Sequence, residues 1–363
     1  MRAPEARARA ALPKSEQGSG RSAGGSGASG ADDVRPGGVG PDAPRERIEV
    51  TLANVPGLGG LYARGVASSV WIAAATRIGR AVTSLPDVVY VAHGVRADAD
   101  HLTAYQHLLG ESASDVLPAG FVHVLAFPVA TALMVRGDFP LPLAGMVHLA
   151  NRIEQLRPVA LEEDLDVRAY ARDLRPHRAG TQVELVTEVR VPGGSRGGEL
   201  AWRGTSTYLA KGTRLDRGVR LHPDSVDPGD AQSDGGRAGR HGSPPWTPPV
   251  PTAQWRLAGD VGRRYAAVSG DRNPIHLSAL SAKALGFPRA IAHGMYTASR
   301  ALAGVGAART DAFTWTVEFA SPVLLPGTVT VRITPDDASP ALTYQAWNAR
   351  SARLHLKGTV TPT

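Results

Sequence analysis

The residues best suited to acid-base chemistry lie close together in the second half of the sequence. Asp271 and His276 belong to the segment 269–276, which reads SGDRNPIH. Because the residue before a proline avoids the α-helical region, Pro274 predicts an extended loop from which the two side chains converge. A carboxyl group and an imidazole, with ordinary pKa values near 4 and 6.5, can hold one water molecule and exchange protons with it. The pair indicates general acid-base catalysis, although Asp-x-Asn before proline is also typical of a turn that bonds only to backbone.

Two further groups near this pair could contact a substrate. We predict an apolar helix over 294–303, directly after His293. The Gly294 amide is then one of the unpaired donors at a helix N-terminus, where it could bind a developing oxyanion. Ser269 is predicted to be a hydrogen-bonding member of the loop.

The rest of the second half predicts the elements that must position these groups. Helices are expected over 260–268, capped by Asp260, and over 278–285, with Ser278 as N-cap and Gly286 as the stop. Segments rich in Val, Thr, Trp and Tyr and separated by turns predict strands over 313–319, 328–334, 342–348 and 353–361. A buried helix followed by antiparallel strands indicates an α+β fold.

The first half of the chain repeats this order of landmarks. At a constant offset of 164, Ile153, Leu161 and Val167 recur as Val317, Leu325 and Val331, and at an offset of 160, Tyr105 and Gly110 recur as Tyr265 and Gly270. The same elements are therefore expected here: helices near 100–109 and 122–135, and strands over 145–155, 164–172, 182–191 and 199–209. We interpret the chain as two tandem copies of one fold.

Only the second copy keeps the residue types of the acid-base pair. At the offset of 160, Glu111, Ala113, Ser114 and Val116 stand where the second copy has Asp271, Asn273, Pro274 and His276. We therefore predict one active site per chain, supplied chemically by the second copy.

Composition predicts where folded structure is interrupted. The chain has 363 residues, 42% of them hydrophobic, with 41 Gly and 28 Pro, which allows two domains and some unstructured sequence. Residues 1–47 are predicted to be a disordered tail and 216–253 a Gly/Pro-rich linker. These segments delimit an N-terminal domain over 48–215 and a C-terminal domain over 254–363. The most apolar stretch, 66–75, is shorter than the roughly 18 residues of a membrane-spanning helix, so we expect a soluble, cytoplasmic protein.

Composition also argues against several classes of function. The absence of Cys excludes thiolate metal sites, disulfides and a cysteine nucleophile. The net charge is +7, but the sequence has no block of Lys and Arg dense enough to indicate nucleic-acid binding. Neither His93 with His101 nor His276 with His293 has a third ligand at a recognisable spacing, so we predict no metal. No cofactor is predicted.

The segments SGDRNPIH and IAHGM, with the alanine-rich stretch between them, closely resemble the signature of the MaoC-like (R)-specific enoyl-CoA hydratases and 3-hydroxyacyl-thioester dehydratases. The resemblance is strong over 255–331 and weaker over 88–209. It implies a tandem (double) hot-dog fold, in which each copy wraps an antiparallel sheet around its long helix. It also implies that Asp271 and His276 form the catalytic pair, that Asn273 sets the loop, and that the Gly294 amide binds the thioester carbonyl.

The implied reaction is that of a hydro-lyase, the reversible hydration of trans-2-enoyl thioesters to (R)-3-hydroxyacyl thioesters in fatty-acid metabolism. The first copy is then expected to form the wall of an acyl-binding groove, where Phe121, Phe127 and Pro128 suit packing or acyl contact. The carrier is coenzyme A or an acyl carrier protein. Its phosphates could meet Arg289, Arg300 or Lys283, although solvated surface charge is the default interpretation of these residues. Two alternatives stay open: a hot-dog acyl thioesterase and a non-catalytic acyl-thioester-binding protein. A monomer or a homodimer is expected, because the tandem pair already satisfies the sheet edge that one copy leaves open.

Overall fold

The computed structural model describes residues 47–62, 64–65, 84–143, 145–193, 198–213, 215 and 246–363. The predicted tail before Arg47, the apolar stretch 66–75 and the predicted linker up to residue 245 lie outside the described residues. None of the helices in the described part of the chain combines the length and apolarity needed to cross a membrane.

Within the described residues, the first half forms two helices of more than ten residues and, after a short leading strand, five further strands. The strands are β1 (Ile48–Thr51), β2 (Val88–Val95), β3 (Met146–Gln155), β4 (Leu165–His177), β5 (Gly180–Val191) and β6 (Glu199–Lys211); the helices are α1 (Ala99–Leu109) and α2 (Ala119–Met134). Residues 58–62, between β1 and β2, are also helical. The Asp98 side chain caps α1 by accepting from the His101 amide at 2.8 Å, and Gly110 ends α1 in the left-handed conformation.

The second half repeats the scheme with more helical turns. The strands are β7 (Ala253–Leu257), β8 (Phe313–Phe319), β9 (Gly327–Pro335), β10 (Leu342–Asn348) and β11 (Arg353–Pro362); the helices are α3 (Val261–Ser269), α4 (Pro274–Leu277), α5 (Ala279–Ala284) and α6 (Gly294–Val305). Ser278 caps α5, as predicted, by accepting from the Ser281 amide at 3.1 Å. Helices α2 and α6 are the long buried helices of the two halves.

The strands of the described residues form one sheet in the order β1-β2-β4-β5-β6-β3-β8-β11-β10-β9-β7. Leaving out β1 and counting from β2 in the first half and from β7 in the second, both halves use the same strand order. The second strand of each half, β3 or β8, lies at the centre of the sheet. There β3 and β8 pair antiparallel, and Arg152 faces Thr316. These two residues are separated by the repeat offset of 164, so each pairs with its own counterpart. A pseudo-two-fold axis therefore passes between them.

Most predicted elements are present, with ends shifted by a few residues, but two strands are additional and two expectations are corrected. The initial strands of the halves, β2 and β7, were not predicted. Asp260 does not cap α3: it has φ −93° and ψ −5° and its side chain makes no capping hydrogen bond, whereas an N-cap residue needs extended backbone. The end of the predicted linker lies against the sheet, because Trp246 Nε1 donates to Gln345 Oε1 at 3.2 Å and the Thr252 amide donates to the Val331 carbonyl at 2.8 Å.

Candidate active site

The loop that carries the predicted acid-base pair is shaped by its own side chains and by one glycine. Gly270 ends α3 with φ 70°, and the next amide, that of Asp271, donates to Ser269 Oγ at 3.2 Å. Asn273 Oδ1 accepts from the Ile275 amide at 3.4 Å and so caps α4. His276 therefore lies on a short helical turn rather than on the extended loop that was expected. Proline is tolerated at the first position of that turn, where its missing N–H costs nothing.

His276 is buried and held in one orientation. Its Nδ1 lies 2.8 Å from the Ile291 carbonyl oxygen. Since a carbonyl can only accept, Nδ1 carries the proton of the neutral ring and Nε2 is left as an acceptor. Burial, reinforced by His293, lowers the pKa of His276 to about 3 against the opposing effects of Asp271 and the Ile291 carbonyl. The imidazole is therefore neutral at pH 7.

Asp271 presents two carboxylate oxygens with different surroundings. Oδ1 accepts from the Asn273 amide at 3.1 Å and from the Tyr62 hydroxyl. Oδ2 lies 3.7 Å from His293 Nε2, and a quarter of the side chain remains exposed. Burial opposes ionisation, but the two neighbouring imidazoles and these hydrogen bonds outweigh it and lower the pKa of Asp271. The carboxylate is therefore the anion of the site at neutral pH.

His293, considered at the sequence level only as a possible metal ligand, packs directly onto the pair. Its ring stacks on His276 with centroids 3.6 Å apart, and its Nε2 lies 3.0 Å from the Asp271 carbonyl oxygen. Its buried Nδ1 has no hydrogen-bond partner within the described part of the chain. Burial lowers the pKa of His293, so two stacked neutral rings adjoin one carboxylate.

Asp271 supplies the third potential metal ligand that sequence spacing did not reveal beside His276 and His293. Ligand atoms of Asp271, His276 and His293 all lie within 4.8 Å of one another. Their residue types suit a transition metal. The two rings, however, are stacked at an interplanar angle of 26°, so their lone pairs run side by side instead of converging on one point. The arrangement fits a proton-transfer site better than a metal centre.

Helix α6 begins next to the pair. Gly294 is its first residue, so its amide has no carbonyl one turn earlier in the helix to bind. A Cβ at this position would lie 2.9 Å from the ring of Phe319. Glycine is therefore needed for the close packing of the start of α6 against β8.

The pair borders a cavity of about 900 Å³ that both halves enclose. Asp271, His276 and Gly294 are among its lining residues, and so are apolar residues of α2, of the segment after it and of β3: Val124, Phe127, Met134, Leu143 and Met146. The chain has four Met residues, and three of them, Met134, Met146 and Met295, line this cavity. Unbranched, polarisable methionine adapts to ligands of varied shape.

The first half also contributes polar groups to the cavity. His123 of α2, His148 of β3 and Tyr208 of β6 line it, and the ring of His148 stacks on that of Tyr208 with centroids 4.5 Å apart. Burial lowers the pKa of His123 to about 4 and that of His148 to about 3. All of these groups are therefore neutral at pH 7.

Several residues for which the sequence allowed either substrate contact or a structural role lie away from this cavity. Phe127 lines it, but Phe121 is buried in the core, edge-on to His101 and Tyr105. Lys283 and Arg289 are exposed and absent from the lining. Arg300 lies over the ring of Trp255 and donates to the Tyr296 hydroxyl at 2.9 Å.

Comparison with known proteins assigns the family. The model of the MaoC like domain matches residues 238–340, and a characterised protein is 34% identical over 276 residues, 76% of this chain. The chain belongs to the MaoC-like dehydratase family. That relative, 90% of whose length is matched, is 3-hydroxyacyl-thioester dehydratase X of Mycobacterium tuberculosis.

Solved structures agree with the fold. A crystal structure of HtdX of M. tuberculosis matches with a TM-score of 0.62 and 31% identity, covering 76% of this chain and 100% of that chain. A MaoC-like dehydratase from Phytophthora capsici matches with a TM-score of 0.53 and 20% identity, covering 76% of this chain and 95% of that one. The predicted tandem hot-dog fold is confirmed.

Sequence reasoning did not identify Tyr62, His123 or His148 as part of the site. Tyr62 lies 209 positions from its partner Asp271 and outside the repeated landmarks, so no local signal marks it. His123 occurs within an apolar helix, where a single polar residue among buried positions could have been noticed as a cavity-facing group.

Proposed function

We propose that the protein catalyses the reversible addition of water to trans-2-enoyl thioesters, giving (R)-3-hydroxyacyl thioesters. The observation that carries this proposal is the placement of the Asp271 carboxylate and the neutral His276 ring within 4.8 Å of each other at the wall of a large, mostly apolar cavity. The family membership and the relative named a 3-hydroxyacyl-thioester dehydratase support the same reaction.

The two acceptors suit one bound water molecule. Two atoms that each accept a hydrogen bond of about 2.8 Å from the same water stand roughly 4.5 Å apart. We assign the two water protons to His276 Nε2 and Asp271 Oδ2, which leaves the lone pairs of the water oxygen for attack on C3 of the enoyl group. The water gives a hydroxyl to C3 and one proton to the Asp271/His276 pair, which delivers a proton to C2 and returns to its initial state.

The thioester carbonyl belongs at the start of α6. When water attacks C3, negative charge develops on the carbonyl oxygen as an enolate. The Gly294 amide, unpaired within its helix and at the positive end of the α6 dipole, is the donor best placed to stabilise that charge. Ser269 and Asn273 act on the geometry of the loop, because their side-chain hydrogen bonds are to backbone amides.

The cavity favours substrates with long acyl chains. His123, near the start of α2, lines the same cavity as Asp271. Met134, eleven residues further along α2, lies about 16 Å from His123 at 1.5 Å per residue. An acyl chain that follows α2 past Val124 and Phe127 would reach Met134.

In this proposal the C-terminal domain, residues 254–363, carries the catalytic pair, and the N-terminal domain, residues 48–215, forms most of the acyl-binding wall. Coenzyme A and acyl carrier protein are both candidates for the carrier.

The decisive experiment follows the absorbance of the conjugated enoyl thioester together with release of free thiol. Loss of absorbance without thiol release on trans-2-enoyl-CoA or the acyl-carrier-protein form, reduced about 10²- to 10⁴-fold in Asp271→Asn and His276→Ala, would support hydration. Thiol release would identify a thioesterase instead. Binding of either thioester without any turnover would identify an acyl-thioester-binding protein.

A further inference from the structure

A segment of the first half, between β1 and β2, packs onto the catalytic loop of the second half. Within it, Leu61 is buried in the core with 1% of its surface exposed. A Cβ built at Gly270 would collide with the side chain of Leu58, so the two segments lie in direct contact. Residues 58–62 are therefore anchored against the turn that begins the loop.

One side chain of this segment reaches the reacting carboxylate. The Tyr62 hydroxyl donates to Asp271 Oδ1 and lines the same cavity. The Asn273 amide binds the same oxygen at 3.1 Å. Oδ1 thus receives two donors, one from each half of the chain. These bonds fix the plane of the carboxylate and leave Oδ2 on the side of His293, 3.7 Å from its Nε2.

We propose that Tyr62 is a positioning residue of the hydration reaction, which binds Oδ1 of Asp271 so that Oδ2 alone receives the catalytic water. The inference rests on the proposed function. It also gives the N-terminal half a direct part in catalysis, beyond forming the wall of the acyl cavity.

The chemistry of the contact supports this role. A hydrogen bond to an ionised group is stronger than one between neutral groups and favours the ionised form. Burial and the neighbouring carboxylate raise the pKa of Tyr62 above its ordinary value. Its hydroxyl therefore keeps its proton at neutral pH and remains a hydrogen-bond donor. Phenylalanine at this position would fill the same space but would release the carboxylate to rotate.

The test compares wild-type protein with Tyr62→Phe on the enoyl-CoA substrate that the wild type turns over best. We expect kcat to fall about 10- to 100-fold while KM changes by less than about twofold, because the hydroxyl acts on the reacting group. The acidic limb of the pH profile should move to higher pH, since Asp271 loses a bond that favours its ionised form. A purely structural role would not move that limb.

A double mutant and a matched control complete the test. In the Asp271→Asn background, adding Tyr62→Phe should cost much less than it does alone, because Tyr62 acts through Asp271. Tyr90→Phe removes a hydroxyl that accepts from Arg136 Nη1 at 3.0 Å, away from the cavity lining, and should leave kcat unchanged. If the wild type hydrates the substrate and Tyr62→Phe matches it in kcat and pH profile, the inference about Tyr62 is wrong while the function stands. A wild type without hydratase activity would instead overturn the proposed function.

Discussion

The carboxylate of Glu111 is bound by the guanidinium group of Arg309, with Oε2 and Nη2 2.7 Å apart. Glu111 follows the left-handed Gly110 that ends α1, as Asp271 follows the left-handed Gly270 that ends α3. The two acidic residues thus occupy equivalent places in the two halves. The one in the first half holds the halves together, because Arg309 follows α6 of the second.

We expect Glu111→Gln to destabilise the fold without removing activity. Only 3% of the Glu111 side chain and 23% of that of Arg309 are exposed. Removing one partner of a fully buried ion pair costs about 3–5 kcal/mol, and the partial exposure of Arg309 reduces this to about 2–3 kcal/mol. Urea unfolding measures the loss, and kcat of the folded variant should stay near that of the wild type.

Glu318→Gln provides the control, because Glu318 pairs with Lys357 at 3.0 Å with both side chains about half exposed. Such a pair contributes about 0–1 kcal/mol. Equal destabilisation by both substitutions, or loss of kcat in Glu111→Gln, would contradict this account of Glu111.

Gly262 supports the catalytic turn by the absence of a side chain. A Cβ there would collide with the backbone carbonyl of His276. Alanine ordinarily stabilises a helix interior by about 1 kcal/mol relative to glycine, but here Gly262→Ala must displace α4 and with it the imidazole. We expect kcat to fall at least about 10-fold, since displacements near 1 Å at a catalytic group have effects up to about 100-fold.

The matched control is Gly304→Ala in α6. Its Cβ would meet only the terminal carbon of Ile333, at 2.8 Å, and a flexible chain end can move aside. The measurement is kcat of both variants by steady-state kinetics. A Gly262→Ala protein with the kcat of the wild type would contradict the prediction and show that the turn tolerates movement.

The buried histidines make stability depend on pH in a defined direction. The unfolded chain binds protons on His123 and His148 near pH 6.5, whereas burial lowers their folded pKa values to about 4 and about 3. Stability is therefore complete above about pH 6.5 and declines as the pH falls toward these values, by up to about 1.4 kcal/mol per unit for each histidine.

Urea unfolding at pH 7.5 and pH 5.0 measures this decline. His148→Gln should reduce the difference between the two values by about 2 kcal/mol, because glutamine cannot take up a proton in the unfolded state. His107→Gln, at an exposed position of α1, is the matched control for the exchange of an imidazole for an amide. If the stability of His148→Gln depended on pH as strongly as that of the wild type, groups other than His148 would be responsible for the decline.

The length of the acyl cavity can be tested at its far end. Met134→Trp adds volume near the C-terminus of α2, where only a long acyl chain would reach. We expect kcat/KM for long-chain enoyl thioesters to fall about 10-fold or more, as overpacking costs about 1–3 kcal/mol, while short-chain substrates keep the wild-type value. Comparable losses for both chain lengths would mean that Met134 lies near the reacting atoms.

The sequence predicted the tandem architecture and the acid-base pair because both are visible as patterns of residue type, the first as a repeat at constant offset and the second as a short motif. The repeat offset of 164 predicts the pairing of Arg152 with Thr316 once two equivalent strands meet about an axis. Likewise, Pro274 and the αL glycine Gly270 define the loop that carries Asp271 and His276. Both features are patterns of residue type along the chain, so the sequence alone identifies them.

Tertiary structure alone decided the surroundings that set the pKa values and the orientation of Asp271 and His276. Tyr62 lies 209 positions from Asp271, and the Ile291 carbonyl that orients His276 is 15 positions beyond it. The stacking of His293 on His276 and the neutral state of His148 depend equally on packing. Burial and hydrogen bonding set pKa values and rotamers, and both arise only when segments distant in sequence are brought together by the folded sheet and its two long helices.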